Sequence, residues 1–191
     1  ALALMTDIRR KFAIAKLART DGAPCFIRGL DHVCIGSVGC IAHMESLREL
    51  GITHTLCVAE GVSAPSDDGL KQHGIKHRHL GVLDKPDVDI SAIFEECFAI
   101  IENCRISNEK VLVYCFQGKS RSVSVVAAYL MKFYNVDFLV SLSWIRETRP
   151  AAEPNLGFGF ALRKFDRALK AERSVPSCDE LAEHADLDKS S

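Results

Sequence analysis

The sequence lacks several features that mark common classes of protein. No apolar run approaches the roughly 18 consecutive residues that a membrane-spanning helix needs. The 24 basic and 25 acidic side chains almost cancel, which argues against binding nucleic acid through bulk charge. A secretory signal of the usual form is absent as well. We therefore expect a chain with no transmembrane segment and no nucleic-acid partner.

Paired cysteines are absent too, although the chain contains eight cysteines. No two of them are spaced C-x-x-C, and several, such as Cys97 and Cys104, lie within apolar segments. This distribution favours reduced thiols and an intracellular protein. We expect it in the cytoplasm, and also in the nucleus. The densest group of histidines, within residues 73–79, has no companion ligands for a tetrahedral site, so we expect a solvated strand edge and no metal.

Apolar periodicity predicts strands that alternate with helices. The predicted strands cover residues 32–35, 55–59, 75–82 and 111–113, and the predicted helices cover residues 42–50, 90–103, 138–147 and 155–171, with a further helix after residue 122. Asp89 is the expected N-cap of the second helix, and residues 60–69 form a predicted loop. This alternation predicts an α/β fold, with a central, mostly parallel sheet flanked by helices.

Three regions are expected along the chain: an N-terminal extension at 1–24, one domain at 25–171 and a polar tail at 172–191. Residues 8–19 predict a basic amphipathic helix with Ile8, Phe12, Ala15 and either Ile14 or Leu17 toward one side. That face either packs on the domain, or it contacts a calmodulin-like protein or a membrane surface. We expect residues 1–20 to be separable from catalysis. The segment at 21–24 should end the helix.

The segment from Cys115 to Ser122 predicts an anion site, because a strand, a tight loop and a helix N-terminus follow one another there. Loop N–H groups and the helix dipole favour a bound anion, and Gly118 permits the necessary backbone geometry. On the helix that follows, one apolar stripe is expected. The predicted substrate-binding residues are Phe116, Gln117, Gly118, Lys119, Ser120 and Arg121.

A cysteine in this setting predicts nucleophilic chemistry. Loop amides, the helix N-terminus and the Arg121 guanidinium all favour the Cys115 thiolate, which is the reactive form of the side chain. Arg121 can also hold a phosphoryl group through two parallel N–H bonds. Together they predict a thiolate that attacks phosphorus and carries the phosphoryl group covalently.

These residues resemble the signature H-C-x-x-G-x-x-R-S/T of the dual-specificity branch of the cysteine-dependent protein phosphatases. Cys115, Gly118, Arg121 and Ser122 occupy its functional positions, and the resemblance extends over about residues 30–169. Tyr114 stands where the family normally has histidine. The resemblance implies the compact cysteine-phosphatase fold, with residues 25–171 as the catalytic domain, a phosphocysteine intermediate, and neither metal nor cofactor.

The resemblance also assigns further roles. Asp84 occupies the place of the general acid, with Asp87 and Asp89 as rivals. The Ser122 hydroxyl would hydrogen-bond the leaving thiolate, and Asn155 matches a position that braces the loop.

The function implied is hydrolysis of phosphotyrosine and of phosphoserine or phosphothreonine in a phosphorylated protein, for which kinases are the family's suggestion. Two alternatives stay open. One is a phosphatase for phosphoinositides or other non-protein phosphate esters, to which Lys119 is the only pointer. The other is a phospho-binding module with weak activity, which the tyrosine at position 114 keeps open. We expect an active enzyme in which Tyr114 stabilises the thiolate less than histidine would.

Overall fold

The computed structural model describes residues 2–63 and 65–174, apart from the side chains of residues 2–5 and 67. The strands are β1 Cys25–Ile27, β2 Leu30–Ser37, β3 Ile52–Ala59, β4 Lys76–Val82 and β5 Lys110–Cys115. The helices are α1 Leu2–Thr20, α2 Met44–Glu49, α3 Asp67–Gln72, α4 Phe94–Ile106, α5 Arg121–Phe133, α6 Phe138–Thr148 and α7 Leu156–Ser174. Short 3-10 turns at Cys40–Ala42 and Ile90–Ile93 precede α2 and α4.

The five strands form one sheet in the order β1-β2-β5-β3-β4. Strands β2, β5, β3 and β4 are parallel, and β1 pairs antiparallel with β2 at one edge. The predicted α/β class and mostly parallel sheet are confirmed, whereas the three-residue strand β1 was too short to predict from periodicity. Strand β5 is central, and its carboxyl end lies between those of β2 and β3. Open parallel sheets bind their ligands beyond the carboxyl ends of such strands.

Helix α5 lies in the interior, not on the surface. It packs on strands β2, β3 and β5 and is surrounded by α4, α6 and α7. Every residue from Arg121 to Met131 is buried. The prediction of a single apolar stripe was therefore too narrow, since small residues such as Ser124 and Ala128 allow neighbours to approach from all sides.

Three element boundaries differ from the prediction. The predicted helix at 90–103 begins as a 3-10 turn, capped as expected by Asp89, whose carboxylate accepts from the Ser91 N–H at 2.9 Å. The predicted loop at 60–69 runs into α3, because the Ser66 hydroxyl accepts from the Gly69 N–H and starts a helical turn. Residues 172–174, assigned to the tail, continue α7, and residues 175–191 lie outside the described residues.

Helix α1 is divided into two parts that differ in their surroundings. Ile8 and Phe12 are 55% and 74% exposed, whereas Ile14 and Leu17 pack against the core. The predicted face is therefore covered at Ile14 and Leu17 but is exposed at Ile8 and Phe12. Within residues 2–63 and 65–174, no helix combines the length and apolar character that crossing a bilayer requires.

The last turn of α1 is bonded to the domain. The Ala18 carbonyl contacts His43 Nε2 at 2.8 Å, and Asp21, immediately after the helix, accepts the Ser37 hydroxyl on its backbone carbonyl at 2.8 Å. These contacts cross the boundary predicted between residues 24 and 25. They argue against the expectation that residues 1–20 are separable from catalysis.

Tyr114 on β5 is fully buried, and its hydroxyl has no nitrogen or oxygen partner among the residues that the structure describes. The Cys57 thiol beside it is a weak hydrogen-bonding group and does not replace such a partner. Tyr129 on α5 provides a contrast, because its equally buried ring donates to Glu102 Oε1 at 2.6 Å and contacts His32 Nε2 at 2.9 Å. A buried unpaired hydroxyl costs free energy, while a paired one does not.

Two truncations should separate the parts of α1. Deleting residues 1–12 removes the exposed Ile8 and Phe12 but keeps Ile14 and Leu17, and we expect the melting temperature and the turnover of a small aryl phosphate to change little. Deleting residues 1–20 removes Ile14 and Leu17, whose burial contributes about 1.5–3 kcal/mol each. A marked drop in both quantities is expected there. Equal behaviour of the two chains would contradict the packing described.

Removing the two hydroxyls should have opposite effects on stability. Tyr114→Phe relieves an unpaired buried group, so the free energy of unfolding in urea should rise by about 1 kcal/mol. Tyr129→Phe, the matched control, breaks bonds to Glu102 and His32, and the same quantity should fall by about 1–3 kcal/mol. A loss in Tyr114→Phe as large as in the control would mean that the Tyr114 hydroxyl is paired.

Candidate active site

Cys115 ends the central strand β5, and five residues separate it from α5. Its Sγ accepts from the Gly118 N–H at 3.2 Å and lies 3.3 Å from the Ser122 hydroxyl. The loop therefore curls back over the sulfur. The spacing of strand, loop and helix positions the thiol at the helix N-terminus, where the positive end of the dipole favours negative charge.

Each loop carbonyl from residue 116 to residue 120 bonds outward to the surrounding protein. The Val38 N–H donates to the Phe116 carbonyl, and the Arg149 side chain donates to the Gln117 and Gly118 carbonyls. The Glu153 N–H donates to the Lys119 carbonyl, and the N–H and hydroxyl of Ser124 donate to the Ser120 carbonyl. These donor–acceptor distances are 2.5–3.2 Å. In a trans peptide, the carbonyl of one residue and the N–H of the next point in opposite directions. The N–H groups of residues 117–121 consequently point toward the space over the sulfur.

Gly118 is required by this geometry. Its φ is +65°, which side-chain-bearing residues rarely adopt. A Cβ there would also collide with the Arg149 guanidinium and with the Gly36 carbonyl oxygen. The backbone angle and the close neighbours both require glycine at position 118, as predicted.

Arg149, which follows α6, is the side chain that holds the loop. Its Nε donates to the Gly118 carbonyl at 2.5 Å and its Nη2 to the Gln117 carbonyl at 2.9 Å. The guanidinium also forms a bidentate ion pair with Asp21, in which Nη1 donates to Oδ1 at 3.1 Å and Nη2 donates to Oδ2 at 2.6 Å. Bonds to Asp21 raise the pKa of Arg149 although its burial opposes this. Sequence analysis assigned no role to Arg149 or to Asp21, which lies 128 positions away from it.

Arg121 and Asp84 meet at the mouth of the loop. Arg121 Nε lies 3.3 Å from Asp84 Oδ2, and its Nη1 donates to the Val82 carbonyl at 3.0 Å. Asp84 Oδ1 also accepts from the Ser120 hydroxyl at 2.8 Å. The predicted acid is thus in contact with the loop. Its rival Asp89 is engaged in capping.

Asn155 joins the acid to helix α7. Its Nδ2 donates to Asp84 Oδ1 at 2.8 Å, while its Oδ1 accepts from the Phe158 N–H at 2.9 Å and caps the helix. Gly157 lets α7 approach this segment, since a Cβ would overlap the Pro86 carbonyl oxygen. Asn155 therefore braces the loop partly through Asp84.

A cavity of about 330 Å³ lies over the sulfur. Of the predicted residues it is lined by Asp84, Cys115, Phe116, Gln117, Lys119, Ser120 and Arg121. Gly118 and Ser122 do not line the cavity, but both contact the sulfur directly. Glu153, which sequence analysis missed, completes the rim. Asp87 does not line the cavity, so geometry favours Asp84 over both rivals.

Tyr114 lies behind Cys115, with its ring 6.2 Å from the His77 ring. Burial, and then the adjacent Cys57 thiol, raise the pKa of Tyr114, so the phenol is neutral at physiological pH. His77 is not solvated as predicted: it is half-buried, and its Nδ1 contacts the Thr55 hydroxyl at 2.9 Å.

Among the described residues, one group of possible metal ligands comprises His54, Cys104 and Glu109. It lies near the amino end of β5, away from Cys115, and Lys76 already approaches Glu109 at 3.8 Å. All seven cysteines among the described residues are free thiols.

Comparisons with known proteins identify the relatives of this chain. A family model for the dual specificity phosphatase catalytic domain matches residues 33–168. Dual specificity protein phosphatase 1 of Arabidopsis thaliana is 31% identical over 161 residues, which cover 84% of this chain and 78% of the relative. Human dual specificity phosphatase 28 is 32% identical over 149 residues, covering 78% and 82%.

Solved structures agree with the family match. The crystal structure of human dual specificity phosphatase 28 superposes with a TM-score of 0.69 at 28% identity, over 77% of this chain and 95% of that one. A mouse putative dual specificity phosphatase complexed with zinc tungstate gives 0.71 at 29% identity, over 80% and 92%. The chain belongs to the dual specificity phosphatase family and is a protein phosphatase.

Proposed function

We propose that Cys115 is the nucleophile that cleaves phosphate monoesters of proteins. The observation that carries the proposal is the sulfur beneath a ring of inward N–H groups, with Gly118 N at 3.2 Å. The oxygens of a phosphate bound there accept hydrogen bonds from those N–H groups and from the Arg121 guanidinium. The thiolate attacks phosphorus as the bond to the leaving oxygen breaks, which leaves phosphocysteine.

Asp84 is the proposed general acid and base. It lines the same cavity as the sulfur and gives its proton to the departing alkoxide or phenolate. A phosphate that engages Arg121 would release Asp84 from its ion pair and free the carboxyl for this task. In the second step, Asp84 takes a proton from the attacking water.

Ser122 is proposed to assist the second step. Its hydroxyl, 3.3 Å from Sγ, can donate to the thiolate as the sulfur–phosphorus bond breaks. Tyr114 cannot supply a cation, so the remaining groups carry the stabilisation of the thiolate. Replacing Tyr114 by histidine should therefore speed alkylation of Cys115 by iodoacetate at neutral pH.

Phosphoproteins with phosphotyrosine and with phosphoserine or phosphothreonine are the substrates we favour over phosphoinositides. Lys119 was the pointer to a polyanionic substrate, but Glu153 lines the same rim and offsets its charge. Phosphorylated kinases are the proposed protein class. The weakly active binding module is disfavoured because Cys115, Arg121 and Asp84 are assembled.

The exposed part of α1 is a proposed contact for a calmodulin-like protein or a membrane surface. Ile8 and Phe12 project from the domain among the exposed basic side chains of Arg9 and Lys11. Both kinds of partner recognise apolar anchors flanked by positive charge. We further propose a cytoplasmic and nuclear location. Loss of binding to calmodulin or to anionic vesicles on deletion of residues 1–12 is the expected result; binding by the shortened chain would contradict it.

Substituting the nucleophile should separate binding from turnover. Cys115→Ser should abolish hydrolysis of phosphopeptides and the trapping of labelled phosphate on the chain. Binding of the same peptides should survive, because the loop N–H groups and Arg121 remain. Residual turnover near the wild-type rate would disprove the covalent mechanism.

Substituting the acid should depend on the leaving group. Asp84→Asn should lower kcat by about 10²–10⁴ for a phosphoserine peptide, whose alkoxide needs a proton. The loss should be much smaller for an activated aryl phosphate that departs unprotonated. Asp87→Asn is the matched control and should leave both rates near wild type. A larger loss in that control would place the acid elsewhere.

A further inference from the structure

A second cavity adjoins the catalytic one on the side of α1. Its volume is about 430 Å³, and Gln117 and Lys119 line both cavities. A substrate chain whose phosphorylated side chain enters the first cavity therefore lies directly beside the second. The volume falls within the range of about 300–1,000 Å³ that is usual for ligand pockets.

The free surface of this second cavity, which we name the α1 pocket, is largely apolar. Leu17 from α1 faces Pro150 and Ala151 from the segment that follows α6, and Thr148 and Cys25 complete the wall. Side chains of this kind favour an apolar ligand through removal of surface from water.

Three charged side chains line the α1 pocket, and two of them, Asp21 and Arg149, are bound to each other and are not free to bind a ligand. Asp21 and Arg149 pair with each other at 2.6 Å, and Arg149 is also engaged by the Gln117 and Gly118 carbonyls. A second phosphate could reach Arg149 only by displacing Asp21, which would disturb the loop that holds the first phosphate. Lys119, the third charged side chain, also lines the catalytic cavity, where Glu153 shares the rim, and it therefore serves the first phosphate. The α1 pocket thus has no charged side chain of its own that is free for an acidic or phosphorylated side chain.

Building on the proposed function, we propose that the α1 pocket binds an apolar side chain of the phosphoprotein substrate adjacent to the phosphorylated residue. Substrate selection then depends on α1, because Leu17 lines the pocket and Asp21, immediately after the helix, pairs with the Arg149 cation. The substrate class is a singly phosphorylated segment with a large apolar neighbour, as opposed to a doubly phosphorylated one.

A peptide series tests this preference. Phosphotyrosine peptides would differ only at the residue before or after the phosphorylated one, with leucine, glycine, glutamate or phosphoserine in turn. Burying a leucine side chain predicts about a tenfold higher kcat/KM for leucine than for glycine at one of the two positions, mainly through KM. Glutamate and phosphoserine should fall below glycine.

A variant that fills the cavity gives the second arm. Ala151→Trp should reduce the leucine-to-glycine ratio to near one, whereas Ala171→Trp, an equally exposed alanine on α7, should retain it. A ratio compares two substrates on one protein, so a general loss of activity cancels.

Wild-type protein that hydrolyses all the peptides without an apolar preference, or that prefers phosphoserine, would overturn the proposal. So would a ratio that survives in Ala151→Trp. Failure of the proposed function itself would look different, because no phosphopeptide would then be hydrolysed.

Discussion

The active site depends on the outward anchoring of the loop carbonyls between Cys115 and α5. A five-residue loop has no hydrogen-bonding pattern of its own, so surrounding groups must decide which way each peptide faces. Backbone donors fix the two ends, and the Arg149 guanidinium fixes the Gln117 and Gly118 carbonyls in the middle. With every carbonyl turned out, the N–H groups converge on one point over the sulfur, and that convergence makes a phosphate site.

The same guanidinium ties the loop to the start of the domain. Asp21 completes the hydrogen bonding of Arg149 and, through its backbone, contacts Leu17 and Ser37. The last turn of α1 is thus part of the support of the loop and of the wall beside the catalytic cavity. Farther toward the N-terminus of the helix, Ile8 and Phe12 are exposed. The end of one helix thereby serves as a structural brace.

Features formed by residues close together in the sequence could be predicted, whereas contacts between residues far apart in the sequence could not. The loop with its cysteine and arginine follows from local spacing, and parallel strands follow from alternation with helices. Asp84 was assigned by the resemblance to a known family. The brace could not be predicted, because Asp21 and Arg149 are 128 positions apart and each resembles a surface residue in sequence. Periodicity also placed Ile8 and Phe12 on one face of α1 with Ile14 or Leu17, and only the fold decides which of these apolar side chains are covered. The burial of α5 on all sides was hidden for the same reason.

The affinity of the site for a phosphate mimic tests the brace most directly. Asp21 is an acid close to an anion site, so simple Coulomb repulsion predicts that Asp21→Asn tightens the binding of orthovanadate. The brace predicts the opposite: a loosened Arg149 lets loop N–H groups turn away, and the inhibition constant should rise about threefold to tenfold. Asp31→Asn, an exposed carboxylate at the far end of β2, should leave it unchanged. Unchanged or tighter binding in Asp21→Asn would contradict the account.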